Sequence, residues 1–264
     1  MIVRYLLAAL AAGLIAGLLI TPVQYARVIP LILHAEVFED GGAPSHDHSA
    51  GIDLVTPAEA ATLTPMAQQA HIVLVHSYED HAGEGHAGEG PTSLVESRLL
   101  GTILANLVTG AGFALILAAA SLVLDRPITA ANGAVWGLVG FAVITLAPAI
   151  GLSPELPAMP VADLGARQVW WIATVLLAAF AAFALIARRE PWLKALGILA
   201  LVLPHIVGAP HPADLASPVP ATLAAEFAVA SLVTAAAFWI LLGQISGYAF
   251  DRMRRGARVQ TSLA

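Results

Sequence analysis

The sequence has no cysteine and few charged residues, and each shortage excludes a class of protein. Without cysteine there is no disulfide framework, thiolate metal site or cysteine nucleophile, so a bound metal would take nitrogen and oxygen ligands. Charged residues make up 11% of the 264 residues, against about 25% in soluble globular domains. Hydrophobic residues make up 58%, and the mean hydropathy is +0.80. The composition excludes a water-soluble core and predicts an all-α integral membrane protein.

Motifs of the common enzyme classes are missing as well. The sequence has no HExxH, no GxSxG, no phosphate-binding glycine loop and no dinucleotide fingerprint. We therefore expect no enzyme activity, no prosthetic group and no nucleic-acid partner.

The apolar residues fall into about six runs, each near the length that crosses a lipid bilayer. The runs cover residues 2–23, 99–124, 130–150, 169–187, 192–207 and 227–250. They predict a first transmembrane helix in 1–24, an external loop in 25–98, a five-helix membrane domain in 99–250 and a basic cytoplasmic tail in 251–264. The fifth run is the shortest, and losing it would leave five spans.

The distribution of Lys and Arg predicts the orientation, because basic residues are enriched on the cytoplasmic side of membrane proteins. With six spans and both termini in the cytoplasm, nine of the twelve basic residues lie inside and 15 of the 18 acidic residues lie outside. Three basic and 15 acidic residues give the outer face a net charge of −12, which concentrates cations. An alternative is that the acids only keep the loop soluble.

Histidine is concentrated in the predicted periplasmic loop, 25–98. The loop begins with ILHAEVFED, a plausible continuation of the first helix, and includes HDH at 46–48 and a repeated HAGEG at 81–90. Imidazole and carboxylate groups bind divalent transition metals. We predict a flexible capture site whose ligands are His34, Glu36, His46, His48, His81 and His86. The alternative is a solvated His-rich loop with no metal role.

The fifth run ends in LPHIVGAPHP, which places His205 and His211 beside prolines. Pro204 has no N–H, so it frees the carbonyl of Ala200, and such breaks are tolerated where they are buried or line a cavity. We predict that both histidines are metal ligands at a pore mouth and that Pro148 and Pro204 mark the transport path. The alternative is a proline kink with an interfacial histidine.

Two further features concern helix packing. Asn106 lies inside the second run, where an amide requires either an interhelical hydrogen bond or a wet cavity on the path. Three pairs of glycines, each four residues apart, predict close approach of helix backbones; they are Gly13/Gly17, Gly133/Gly137 and Gly243/Gly247. The neighbouring helix could belong to the same chain or to a second copy, so a homo-oligomer stays open.

The ordered set of motifs resembles the CbtA family of predicted cobalt transporter subunits. The resemblance rests on LLAALAAGLIAGLLITPVQ leading to LILHAEVFE, on LLGTILANLVTGAGFALIL, on GAVWGLVGFAVITLAPAIGLSPELPAMP followed by LGARQVWW, and on LPHIVGAPHP with FAVASLVTAAAFWILLG. It covers essentially the whole chain. By position it draws attention to Gln24, Glu36, Asn106, the Trp170–Trp171 pair, His205 and His211.

The resemblance implies a bacterial inner-membrane protein that takes up Co²⁺ for cobalamin synthesis together with a small single-span, histidine-bearing subunit, CbtB. It also implies five spans, where the apolar runs predict six. The cobalt assignment comes from the resemblance, because histidine and carboxylate ligands bind Ni²⁺ and Cu²⁺ at least as tightly as Co²⁺. The alternative function is a metal-capture or accessory protein that does not transport and docks on another transporter through its GxxxG faces.

Overall fold

The computed structural model describes residues 2–40 and 91–262, and within them the side chains of 2–39 and 98–256. These residues form seven helices and no strand. The helices are α1 (Ile2–Arg27), α2 (Ile29–Asp40), α3 (Pro91–Val123), α4 (Gly133–Ala149), α5 (Leu164–Ala187), α6 (Pro191–Val207) and α7 (Ala221–Ser262). The prediction of an all-helical chain is confirmed for this part of the molecule.

Four helices are long and apolar enough to cross a membrane: α1, α3, α5 and α7. The other two predicted spans are α4 and α6, which have 17 residues each. At 1.5 Å per residue, a helix of that length reaches about 25 Å, at the short end of what spans the hydrocarbon core of a bilayer. Six spans therefore remain a prediction, of which four have the expected length.

The start of the predicted long loop is helical. α1 ends at Arg27, and ILHAEVFED lies in a separate helix, α2, after a break at Val28. The segment is helical, as predicted, but it does not continue the first helix without interruption. α3 begins at Pro91, eight residues before the predicted start. Nothing in the described residues tests the predicted domain boundaries.

The described residues fall into two compact units that each draw on several parts of the chain. The first unit comprises residues 2–23, 91–138 and 236–262, and the second comprises 24–40 and 139–235. Helices α1, α4 and α7 each contribute one part to one unit and the remainder to the other.

Backbone contact at glycines builds the first unit. A Cβ added to Gly13 would collide with the backbone of Gly110 in α3, and one added to Gly243 would collide with the backbone of Gly133 in α4. These contacts confirm the packing predicted from the glycine pairs. They also answer a question that the sequence left open, because the neighbouring helix belongs to the same chain.

Hydrogen bonds hold the connection between α3 and α4 to α7 within the first unit. The amide of Ala130 donates to Asp251 Oδ2 (2.8 Å), and Gln244 Nε2 donates to the carbonyl of Ala130 (2.9 Å). Arg254 Nη2 donates both to the carbonyl of Ile128 (2.7 Å) and to Asp251 Oδ1 (2.7 Å). The polar end of α7 thus satisfies backbone groups that the turn leaves without helical partners.

In the second unit, α2 packs onto the connections that follow α4 and α6. Ala35 is buried in a cluster with four apolar residues from those connections and from the start of α7: Leu156, Val219, Leu223 and Phe227. α2 is therefore anchored by one apolar face, while His34 on another face is exposed.

We predict that Gly243→Ala destabilises the protein, because its Cβ would meet rigid backbone in α4. The expected loss is about 1–3 kcal/mol of unfolding free energy, measured by thermal unfolding in detergent. Gly112→Ala is the matched control, since a Cβ at Gly112 has nothing within 4 Å. The control should leave the stability unchanged or raise it by up to about 1 kcal/mol. Equal melting temperatures for Gly243→Ala and the wild type would contradict this packing.

Candidate functional site

The end of α6 is an irregular helix terminus with a histidine in it. Pro204 is buried, His205 is half-buried, and Gly208 ends the helix with a φ of 86°, a conformation that favours glycine. The carbonyl of Pro204 accepts the amide of Gly208 at 3.0 Å. The helix therefore stays hydrogen-bonded past its proline, and His205 lies in its last turn.

Trp170 braces this terminus from α5. Its indole Nε1 donates to the carbonyl of Pro204 at 3.3 Å, and its ring meets the His205 ring edge-on, with centroids 5.9 Å apart. A Cβ at Gly151, in the connection after α4, would collide with the same indole ring. One buried side chain thus joins the α4–α5 connection, the start of α5 and the end of α6.

A shallow cleft of about 570 Å³ opens beside Trp170. Small residues at the start of α5, among them Gly165 and Ala166, form one wall, and the segment from Gly208 to Pro210 forms another. His211 follows directly after Pro210 and is exposed. The predicted pore-mouth pair thus lies at the end of α6 and just beyond this cleft wall.

Sequence reasoning missed a buried ion pair at the same end of α5. Arg167 Nη2 lies 2.7 Å from Glu155 Oε2, and the two side chains are only 7% and 17% exposed. In the sequence, this ion pair is indicated only by an arginine near the start of α5. Asp163 caps that helix, and its side chain accepts the amide of Ala166 at 2.8 Å. The pair fastens the α4–α5 connection to α5 one turn before Trp170.

Burial raises the pKa of Glu155 above the ordinary value of 4.5, and the nearby Arg167 guanidinium offsets part of that rise. The exposed Glu190, between α5 and α6, behaves in the opposite way. A hydrogen bond from its own backbone amide lowers its pKa, and Arg188 adds to the effect. As pH rises, the contribution of Glu155 to the stability of the fold therefore decreases, whereas the contribution of Glu190 increases.

Several predicted ligands lie apart from the end of α6 in the sequence. His34 is exposed on α2, with its ring 6.0 Å from the ring of Phe38, and Glu36 is half-buried two residues later. Gln24 is half-buried in α1, where its carbonyl accepts the amide of Val28 at 2.8 Å. The remaining ligands predicted for the capture site lie outside the described residues; they are His46, His48, His81 and His86.

Asn106 makes the interhelical hydrogen bond that was one of its two predicted roles. Its Nδ2 donates to Thr21 Oγ1 at 2.9 Å, and that hydroxyl donates to the carbonyl of Gly17 at 3.0 Å. A Cβ at Gly17 would in turn collide with the Asn106 backbone. The amide therefore fixes α3 against α1, and its role on a transport path remains a prediction.

α4 is irregular before Pro148, which is buried. Residues Ala142–Leu146 form a π-helical turn, in which the amide of Ala147 donates to the carbonyl of Ala142. Pro148 has no N–H to offer. It therefore cannot donate to the carbonyl of Ile144 or of Val143, and the freeing of carbonyls near Pro148 remains a prediction.

Within the described parts of the chain, no three histidine or carboxylate side chains come close enough to hold a metal ion together. His205 and His211 therefore supply at most part of a coordination shell. What the arrangement offers is one half-buried imidazole held by Trp170 and one exposed imidazole beyond the cleft.

We expect Glu155→Gln to change the pH dependence of stability. Because the folded-state pKa of Glu155 is raised, the folded protein binds the proton of Glu155 more tightly than the unfolded chain does. This binding adds to the free energy of unfolding below pH 4.5, and the added stability is lost as pH rises through the folded-state pKa. The melting temperature of the wild type minus that of Glu155→Gln should therefore fall as pH rises above about 4.5.

Glu190→Gln is the comparison for this experiment. The pKa of Glu190 is lowered, so its contribution is present above pH 4.5 and is lost as pH falls through the folded-state value. The same difference in melting temperature should then grow as pH rises. A difference for Glu155 that also grows with pH would mean that Arg167 outweighs burial.

Comparison with known proteins identifies one family. A family model described as "Probable cobalt transporter subunit (CbtA)" matches residues 2–251. No curated protein and no solved structure matches the chain. Since the match covers nearly the whole chain, the protein belongs to the CbtA family of probable cobalt transporter subunits.

Proposed function

We propose that this protein admits Co²⁺ across the bacterial inner membrane and supplies it to cobalamin synthesis. The observation that carries the proposal is His205, a half-buried imidazole in the last turn of α6, held against Trp170 beside an open cleft. Imidazole is a good ligand for Co²⁺. In a subunit of a cobalt transporter, such a braced histidine is a suitable first ligand for the arriving ion.

In the proposed path, the acidic, His-bearing segment on the periplasmic side raises the local Co²⁺ concentration, and His211 and His205 receive the ion. Freed carbonyls near Pro148 and Pro204 then replace part of its water shell. Gln24 and Asn106 remain candidates from the sequence alone. Both termini lie in the cytoplasm, and α4 and α6 serve as the two shortest of six spans.

The membrane potential supplies the driving force. Each elementary charge that moves inward gains about 2.3 kcal/mol per 100 mV, so Co²⁺ gains about twice that. No nucleotide is needed for uptake of this kind, in keeping with the lack of a phosphate-binding loop.

A partner subunit completes the proposal. The family description names a subunit, and His205 and His211 are too few ligands for a metal site by themselves. We propose that a small single-span, histidine-bearing protein, CbtB, contributes further imidazole ligands at the outer mouth.

The alternative is an accessory protein that binds metal outside and docks on another transporter. Its docking faces were expected to be the GxxxG pairs, but Gly13, Gly133 and Gly243 contact helices of the same chain. That interface is therefore occupied, and an accessory role would need a different surface.

The deciding measurement is Co²⁺ entry into proteoliposomes under an inside-negative potential, with the purified chain alone and with its small partner, and with Ni²⁺ and Zn²⁺ as competitors. We expect His205→Ala to abolish entry and His211→Ala to reduce it. Entry only with the partner would assign transport to the complex. Binding without entry in both preparations would favour the accessory role.

Trp170→Phe tests the brace itself. The substitution keeps an aromatic ring but removes the N–H that bonds to the carbonyl of Pro204 and the ring edge that packs on Gly151. We expect Co²⁺ entry to fall about tenfold, as is common when a neighbour that orients a metal ligand is lost.

Trp171→Phe is the matched control, because Trp171 is the next residue in α5 and is only half-buried. It should leave Co²⁺ entry unchanged. Equal entry by both variants, at equal protein levels in the vesicles, would show that Trp170 does not position His205.

A further inference from the structure

The segment 151–155 follows the end of α4 and lies against the start of α5 through two contacts. At one end, Glu155 Oε2 lies 2.7 Å from Arg167 Nη2. At the other end, a Cβ on Gly151 would collide with the indole ring of Trp170. Arg167 and Trp170 are both buried and lie about one turn apart in α5. The two contacts therefore hold the segment alongside the first turns of the helix.

Gly151 links this segment to the cleft. A Cβ on Gly151 would lie 3.0 Å from the Cβ of Ala209, which belongs to the cleft wall. The indole that Gly151 contacts donates to the carbonyl of Pro204 and meets the ring of His205 edge-on. A shift of Gly151 would therefore move the side chain that braces His205.

The other anchors of this connection lie outside α5. The amides of Gly151 and Leu152 donate to the carbonyl of Pro148 at 3.1 and 2.8 Å, which ties the start of the segment to α4. Leu156, the residue after Glu155, is fully buried in the cluster that contains Ala35 of α2. Neither anchor involves a residue of α5. The position of the segment against α5 therefore depends on the ion pair and on the packing of Gly151.

The burial of the ion pair favours a positional role over a stabilising one. The cost of removing two charges from water offsets most of their attraction, so a buried ion pair adds little net stability. The raised pKa of Glu155 reflects this cost, because burial outweighs the effect of Arg167. A charge-assisted hydrogen bond is directional, however, and holds its two groups at a set distance. What this pair adds is the placement of one segment against another.

We propose that Glu155 and Arg167 are positioning residues for the candidate metal site. Their ion pair holds Gly151 against the indole of Trp170 and thereby keeps the indole in place against His205. The inference rests on the proposed function, in which His205 receives Co²⁺. Loss of the ion pair would weaken the capture of Co²⁺ without removing any proposed ligand.

The test measures Co²⁺ entry into proteoliposomes as a function of Co²⁺ concentration, with the full chain and with its small partner if entry requires it. Glu155→Gln keeps the size of the side chain and removes its charge. We expect the half-saturating Co²⁺ concentration to rise about fivefold. The maximal rate per folded protein should stay near that of the wild type, because every proposed ligand is retained. A lower maximal rate with an unchanged half-saturating concentration would indicate a role in folding alone and would overturn the proposal.

Two further variants test how the ion pair acts. Arg167→Met breaks the pair from α5 and should raise the half-saturating concentration by about the same factor. Glu155→Gln combined with Trp170→Phe should behave like Trp170→Phe alone, because residues that act through one another do not have additive effects. If the two effects multiply, the ion pair does not act through Trp170 and the proposal is overturned.

Glu190→Gln is the matched control. Glu190 pairs with Arg188 at 3.2 Å just beyond the other end of α5, where both side chains are exposed. Loss of this pair should leave the half-saturating concentration unchanged. An equal rise in Glu190→Gln and Glu155→Gln would overturn the proposal.

His205→Ala separates this inference from the proposed function. Wild-type entry by His205→Ala, or no entry by the wild type, would overturn both. Loss of entry in His205→Ala together with an unchanged half-saturating concentration in Glu155→Gln would overturn only the positioning role.

Discussion

Direct contact between helix backbones is the constraint on which the first unit depends. In lipid, helices gain little from apolar side chains alone, so close approach at small residues supplies much of the attraction. Gly13 against Gly110 brings α1 to α3, and Gly133 against Gly243 brings α4 to α7. The side chains at the ends of these helices, such as Tyr5 and Ser121, can reach each other because the backbones lie so close.

The sequence predicted these parts of the fold well because they follow from spacing and hydropathy. Apolar runs located the helices, and the glycine pairs located the close contacts. Spacing alone did not identify the helix that each glycine contacts. Nothing in the sequence around Gly13 shows that it packs on Gly110 and not on a second copy of the chain. The π-helical turn at Ala142–Leu146 was missed for a related reason: a proline predicts a freed carbonyl but not how the turn before it rearranges.

At the candidate site, the sequence pointed to candidate residues such as His205, but it did not predict the side chains that contact them. His205 beside Pro204 was visible as a pattern, whereas the indole of Trp170 bonding to the carbonyl of Pro204 depends on two helices meeting. The Glu155–Arg167 pair was counted only as two outer charges, because a charge count does not say which charges are buried together. Pairings of this kind join residues that are far apart in the sequence. They depend on tertiary packing, which local sequence patterns do not predict.

The two units differ in how regular their backbones are, and this difference bears on function. Among the described residues, both π-helical turns, the proline within α6 and the positive φ of Gly208 lie in the second unit. Irregular backbone at membrane depth is tolerated only where protein surrounds it or where it lines a wet cavity. His205 and the cleft beside Trp170 lie among these irregularities. The described part of the first unit has fewer of them, namely Pro22 within α1 and the positive φ of Asp125. The half-buried imidazole of His205 thus lies in the unit that contains both π-helical turns.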